Sequence, residues 1–168
     1  MKLAATAQIC EILYNHRMIT RKADYAIRVV EYLTCNMRTT QWVSSTDLAR
    51  DMEIPYRFLR NIVRLLVQNG IVESQRGCAG GLRLARRPDQ LSVAEVVHAV
   101  DETGLLLNVC LEKPSGCGRM CICPLHTKLK KLQQIINDTL AATMFNCLAN
   151  LSVRKRRRVA ARATASRK

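Results

Sequence analysis

A chain of 168 residues with 48% apolar side chains suits one domain with a modest core and a long appended element. Its 27 Lys and Arg outnumber 13 Asp and Glu, and a formal charge of +14 points to a polyanionic partner. No apolar run reaches the roughly 18–20 residues of a membrane span, and the export-signal reading of the N-terminus fails on the Gln8 and Glu11 interruptions.

The eight cysteines are therefore expected in a reducing cytoplasm, where clustered thiols hold a metal or sense redox state. Residues 1–17 show weak helical character and read as an N-terminal extension from an upstream start, because Met18 opens a cleaner beginning, MITRKADYAIR. From Thr20 the pattern is helical: Ala23, Ala26, Ile27, Val30 and Leu33 follow the spacing of one buried stripe. Asp24 falls in the first turn, where the helix dipole favours an acid.

After the polar stretch 36–41, Ser44 with Asp47 caps a short second helix. Glu53 and Ile54 make a turn, and Pro55 suits the first position of a third helix, which Gly70 stops in a left-handed conformation. One face of that helix, Leu59, Ile62, Val63 and Leu66, is core; the other carries Arg57, Arg60, Asn61 and Arg64. On an arbitrary helix such a face is merely solvated. Behind a short helix and a tight turn it reads as a recognition helix for the major groove, with Tyr56 at its N-terminal end.

IVESQ and LRLAR form two strands around a glycine-rich tip, a hairpin wing. Arg76 and Arg83 on its two limbs are candidate DNA contacts, Arg76 towards a minor groove, and Cys78 reads as a small turn residue. No Lys-Ser/Thr follows the glycines, so this is not a nucleotide-phosphate loop. Ser92 and Glu95 then cap a helix whose stripe is Val93, Val96, Val97 and Val100, with His98 on its surface.

The segment from Cys110 to His126 follows. Six residues separate Cys110 from Cys117, five separate Cys117 from Cys123, and two separate Cys123 from His126. Prolines and glycines keep it irregular, and several sulfurs able to converge suit a soft metal centre. Beyond it, Leu125, Leu129, Leu132, Ile136, Leu140, Met144, Cys147 and Leu151 recur at threes and fours, a near coiled-coil seam that needs a second copy to cover it. Residues 152–168 hold eight Lys and Arg and no acid, and read as a disordered basic tail that anchors non-specifically to phosphates.

The fold expected is mainly α: a winged helix-turn-helix at 18–104, a cysteine loop at 105–126 and a dimerisation helix at 127–151. MITRKADYAIR, LLVQNGIVESQRGCAGGLRLARRPDQLSVAEVV and the loop ending in CPLH together resemble the Rrf2 family of bacterial regulators. That resemblance implies a homodimeric transcriptional regulator, most simply a repressor, on a double-stranded DNA operator. It also implies an iron–sulfur cluster on Cys110, Cys117 and Cys123 that senses nitric oxide, redox state or iron supply. The fourth ligand is left open between His126, where some members place a histidine, and Asp24, where others use an aspartate of the second subunit. Asp24 favours a four-iron over a two-iron cluster, and Cys121 is an alternative to Cys123. Leu82 departs from the aromatic that often follows the glycine pair.

Two rivals remain. One is a zinc or plain thiol regulator of the same fold, although zinc ligands are usually spaced more tightly. The other is an iron–sulfur electron-transfer protein, for which the basic helix and wing would have no purpose. No nucleophile or acid–base constellation marks an enzyme.

Overall fold

The computed structural model describes residues 19–37, 42–77, 80–101, 104–111 and 117–148. The extension at 1–17, Cys78, Leu151 and the tail at 152–168 lie outside the described residues. Helix α1 spans Arg21–Asn36, and the Thr20 side chain caps it by accepting the Ala23 N–H at 3.1 Å. Its buried residues are Ala23, Ala26, Val29, Val30 and Leu33. Val29 thus takes the place expected for Ile27, which is only half-buried.

Helix α2 covers Ser45–Asp51 and is capped by Ser44; α3 covers Tyr56–Gln68. Between them the chain turns through Glu53, whose φ of 53° is left-handed, and buries Ile54. Pro55 stands at the cap, one position before the helical residue expected. Leu59, Ile62 and Leu66 are enclosed, and Gly70 ends the helix at φ 64° while the Ile71 N–H bonds back to the Leu66 carbonyl at 2.9 Å.

Strands β1 (Val72–Gln75) and β2 (Gly81–Leu84) pair antiparallel, with Glu73 opposite Arg83. Val43 adds a third, one-residue strand: its N–H and carbonyl both bond Leu82, at 2.9 and 2.8 Å. Gly81 makes this possible, since a Cβ there would collide with the Val43 carbonyl. A Cβ on Gly80 would likewise strike the Gln75 carbonyl across the hairpin.

Helix α4 spans Val93–Val100 behind a complete capping box of Ser92 and Glu95, and all four valines of its stripe are buried. Helix α1 sits centrally, against α4, α3 and β2. A helix enclosed on several sides buries a wider arc than one stripe, which is why Val29 joins the core.

After short 3-10 turns at Val109–Leu111 and Met120–Ile122, α5 runs over Pro124–Ala142. It ends well before residue 151. Thr143 is extended, its carbonyl accepts the Val93 N–H at 2.9 Å, and the Phe145 N–H bonds the Leu91 carbonyl at 3.1 Å. Phe145 is fully buried in the core. Leaving the helix lets this ring enter the head, and burying an aromatic outweighs continuing a seam. Cys147, expected on that seam, is exposed.

Phe145→Ala is expected to cost about 3–5 kcal/mol in urea unfolding, as for other buried aromatics. A loss under 1 kcal/mol, on the scale of an ordinary surface change, would mean the ring is no plug. Hydrogen bonding from the Ser92 backbone N–H, with a contribution from Arg86, holds the Glu95 carboxyl below its ordinary value of 4.5. The ionised form therefore stabilises the fold above that value, and its contribution is lost as pH falls through the lowered one. Glu95→Gln should be less stable at neutral pH, with the difference from wild type shrinking as the pH falls below 4.5 in acid titrations followed by circular dichroism.

Candidate nucleic-acid interface and cysteine loop

The outer face of α3 carries Arg57, Arg60, Asn61 and Arg64, all exposed, because the core stripe occupies the opposite arc. Arg64 donates to Asn61 Oδ1 at 3.3 Å, so the two polar side chains are joined on this outer face. Arg57 and Arg60 make no ion pair among the described residues. Tyr56, 48% exposed, has its hydroxyl 3.4 Å from Ser45 Oγ, so it stands where α2 meets α3.

Sequence reasoning passed over Phe58, which is 56% exposed in the first turn of α3. Its ring meets Tyr25 edge-on, with centroids 6.3 Å apart, and the Arg28 guanidinium lies over Tyr25 at 5.7 Å. The available signal was a large aromatic that belongs to neither the core stripe nor the basic one.

The wing arginines differ from one another. Arg83 bonds Glu73 Oε2 at 2.6 Å and lies 4.4 Å from the centre of the Trp42 ring. Arg86 is taken by Glu95 and the Gln90 carbonyl, and Arg87 by Asp89. Arg76 is exposed and has no ion pair among the described residues. The second limb of the hairpin is therefore largely neutralised, and the open cation is on the first.

In the cysteine loop, the Cys110 N–H reaches Asn108 Oδ1 at 3.4 Å, and the Met120 N–H bonds the Cys117 carbonyl at 3.1 Å. Cys110, Cys117 and Cys123 are half-buried free thiols and Cys121 is an exposed one. Cys123 caps α5, and the His126 N–H bonds its carbonyl at 3.3 Å. Gln133 of α5 accepts the Leu107 N–H at 2.9 Å and donates to the Leu105 carbonyl at 2.6 Å, which ties the start of the loop to the helix.

Among the described residues no three Cys, His, Asp or Glu side chains converge tightly enough to hold a metal ion. Asp24 is paired instead with Arg28, at 2.8 Å along α1. His126 behaves differently: its Nδ1 is buried and has no hydrogen-bond partner among the described residues. A buried nitrogen left unpaired costs roughly 1–3 kcal/mol, and a metal ion is one group that satisfies it. By residue type, the half-buried thiols of Cys110, Cys117 and Cys123 and this imidazole are a donor set that fits a thiolate-ligated iron–sulfur group, although the described side chains do not converge on one point.

A helix-turn-helix with a basic outer face, a hairpin wing and an appended amphipathic helix defines a winged-helix DNA-binding protein. The chain belongs to the Rrf2 family, described as an iron-dependent transcriptional regulator, whose profile matches residues 19–151. It is a transcriptional regulator and not an enzyme. It is 28% identical to the regulator NsrR of Geobacillus kaustophilus over 145 residues, 83% of this chain and 98% of that one. It is 28% identical to protein rrf2 of Nitratidesulfovibrio vulgaris over 109 residues, 65% of this chain and 71% of that one.

Two solved structures share the fold. IscR of T. potens has a TM-score of 0.63 at 19% identity, covering 80% of this chain and 87% of that one. The oxidised form of Staphylococcus aureus CymR has a TM-score of 0.62 at 19% identity, covering 78% and 94%. No described helix is long and apolar enough to cross a membrane.

Arg57→Gln or Arg60→Gln should flatten the dependence of log K on log salt by about 0.9 for each phosphate the arginine neutralises. Asn61→Ala should leave that slope unchanged and reduce base discrimination by about 1–3 kcal/mol, measured by anisotropy on duplexes with single base-pair changes. A slope unmoved by either arginine would place DNA elsewhere.

Proposed function

We propose that this regulator works in the cytoplasm as a homodimer on operator DNA. Cys110, Cys117, Cys123 and His126 hold an iron–sulfur cluster that controls binding. The observation that carries the reading is the buried Nδ1 of His126, which has no hydrogen-bond partner among the described residues and is separated by two residues from Cys123 at the end of the cysteine loop. Between the two candidate fourth ligands it favours His126. Asp24 already has a partner in Arg28, which also reaches the Met52 carbonyl at 3.4 Å in the turn before α3. With Asp24 so engaged, the preference for four irons over two weakens. Names among the relatives, NsrR and IscR, and the family's description as iron-dependent support the reading.

When bound, the cluster supplies a centre that reacts with nitric oxide or oxidants and depends on iron supply. The protein's part is mechanical. Cys123 and His126 sit on the first turn of α5, so whatever they grip is fixed to that helix. Cys110 and Cys117 bring in the loop, whose start Gln133 already holds. Gripping all four side chains fastens the segment 105–123 along α5. Losing the grip would leave the bonds of Gln133 but free the loop at Cys110 and Cys117.

Helix α5 contributes no buried residue within the chain, and Leu125, Leu132 and Ile135 are exposed at 57%, 46% and 60%. A second copy is the partner that buries them. Two α3 helices must then match half-sites about one helical turn apart, so a shift of α5 against its mate changes operator affinity.

A second reading has one observation in its favour: four free thiols lie within Cys110–Cys123 with no three-ligand convergence among the described residues. Thiol oxidation would then be the signal, and a related fold, CymR, has been solved in an oxidised form.

Protein purified without air is expected to be brown and to contain iron and acid-labile sulfide. His126→Ala should lose or perturb the cluster while Asp24→Ala retains it. Colourless protein with zinc, or with thiols alone, would overturn the cluster. Loss of iron in Asp24→Ala but not in His126→Ala would reverse the ligand assignment.

A further inference from the structure

Arg83 looks in sequence like a DNA contact, yet every strong interaction it makes is internal. Its Nε and Nη2 both donate to Glu73 Oε2, at 2.7 and 2.6 Å, and its guanidinium lies 4.4 Å from the centre of the Trp42 ring. The backbone explains why these three meet. Glu73 stands directly opposite Arg83 in the hairpin register. Val43 pairs with Leu82, and Leu82 is buried, so the adjacent residues Trp42 and Arg83 share the outer face of the small sheet.

We infer that Trp42, Arg83 and Glu73 form a brace that sets the angle of the wing, and that Arg76, not Arg83, is the wing's contact with DNA. The inference rests on DNA binding by the winged helix and adds the division of labour within it. The hairpin has only four residues in each strand, and its third strand is a single residue, so backbone pairing alone holds it weakly. A cation stacked on an indole and bonded to a cross-strand carboxylate ties all three strand segments together on the solvent side.

The same geometry makes Arg83 a poor phosphate ligand. Glu73 neutralises it and would repel a phosphate brought alongside, while the indole covers one face of the guanidinium plane. Arg76, just past the end of β1, is exposed and has no such engagement among the described residues.

The experiment uses a duplex enriched from a random-sequence pool by the wild-type protein, with affinity measured across a range of salt and melting temperature recorded for each variant. Trp42→Ala, Arg83→Gln and Glu73→Gln should each weaken binding about fivefold, the scale of one such surface interaction, with the salt slope unchanged. Trp42→Phe keeps an aromatic face and should restore most of the affinity. Arg76→Gln should reduce the slope by about 0.9 for each phosphate it contacts.

The sign of Glu73→Gln is decisive, because its side chain is 45% exposed and its loss is tolerable to the fold. If Arg83 were a phosphate contact, removing Glu73 would free it and tighten binding. Tightening by Glu73→Gln, or a slope reduced by Arg83→Gln with Trp42→Ala silent, would overturn the brace. Failure of the wild type to enrich any duplex would instead sink the DNA-binding reading itself.

Discussion

The attachment of α5 to the winged-helix head governs what this molecule can do. Besides the packing of α5 on α4, hydrogen bonds and one buried ring make it at two places among the described residues. Thr143 and Phe145 stitch the end of the helix to residues 91–93 through two backbone hydrogen bonds and a fully buried ring. Gln133 fixes the loop at 105–107 to the middle of the helix. On the proposed reading, a change at the cysteine loop would reach the DNA-reading surface through these attachments. Residues 91–93 lead directly from the wing into α4, and α4 packs on α1 and α3. Close packing transmits a displacement along that route with little absorption.

Charge is distributed to match this division. The cations around the lower wing and the start of α4 are spent on internal partners: Arg83 on Glu73, Arg86 on Glu95, Arg87 on Asp89. These exposed pairs each add little stability, on the order of 1 kcal/mol or less. Their larger consequence is that, among the described arginines of α3 and the wing, those without an ion pair are Arg57, Arg60, Arg64 and Arg76, on the face where duplex DNA would lie. The chain's overall basicity, much of it in residues 152–168, is therefore a poor guide to which arginines contact DNA.

What could be read in the sequence was local. Ser92 with Glu95, Ser44 with Asp47 and the left-handed Gly70 each depend on neighbours three or four positions away, and each appears as expected. The stripes of α3 and α4 follow from helical periodicity, with Val63 only half-buried at the margin. The departures are long-range. Met144 and Cys147 continued the spacing of α5, and nothing local reveals that the head has room for Phe145. Arg83 could not be told from a free arginine until Trp42, distant in sequence, came to lie beneath it. For the cysteine loop, spacing and residue type supplied the thiols and His126. The buried, unpartnered state of the His126 Nδ1 emerged only from the packed structure.

The central claim is a coupling between the loop and the operator, and such a coupling is a free-energy difference that can be read as a ratio of affinities. The direct measurement takes one anaerobic preparation and determines its affinity for an enriched duplex before and after removal of the cluster by chelator and oxidant, with thiols then re-reduced. The account predicts a change of about tenfold or more, equivalent to roughly 1.4 kcal/mol, that disappears in a Cys110→Ala, Cys117→Ala, Cys123→Ala variant. Equal affinity in the two states, at the same salt concentration, would contradict it.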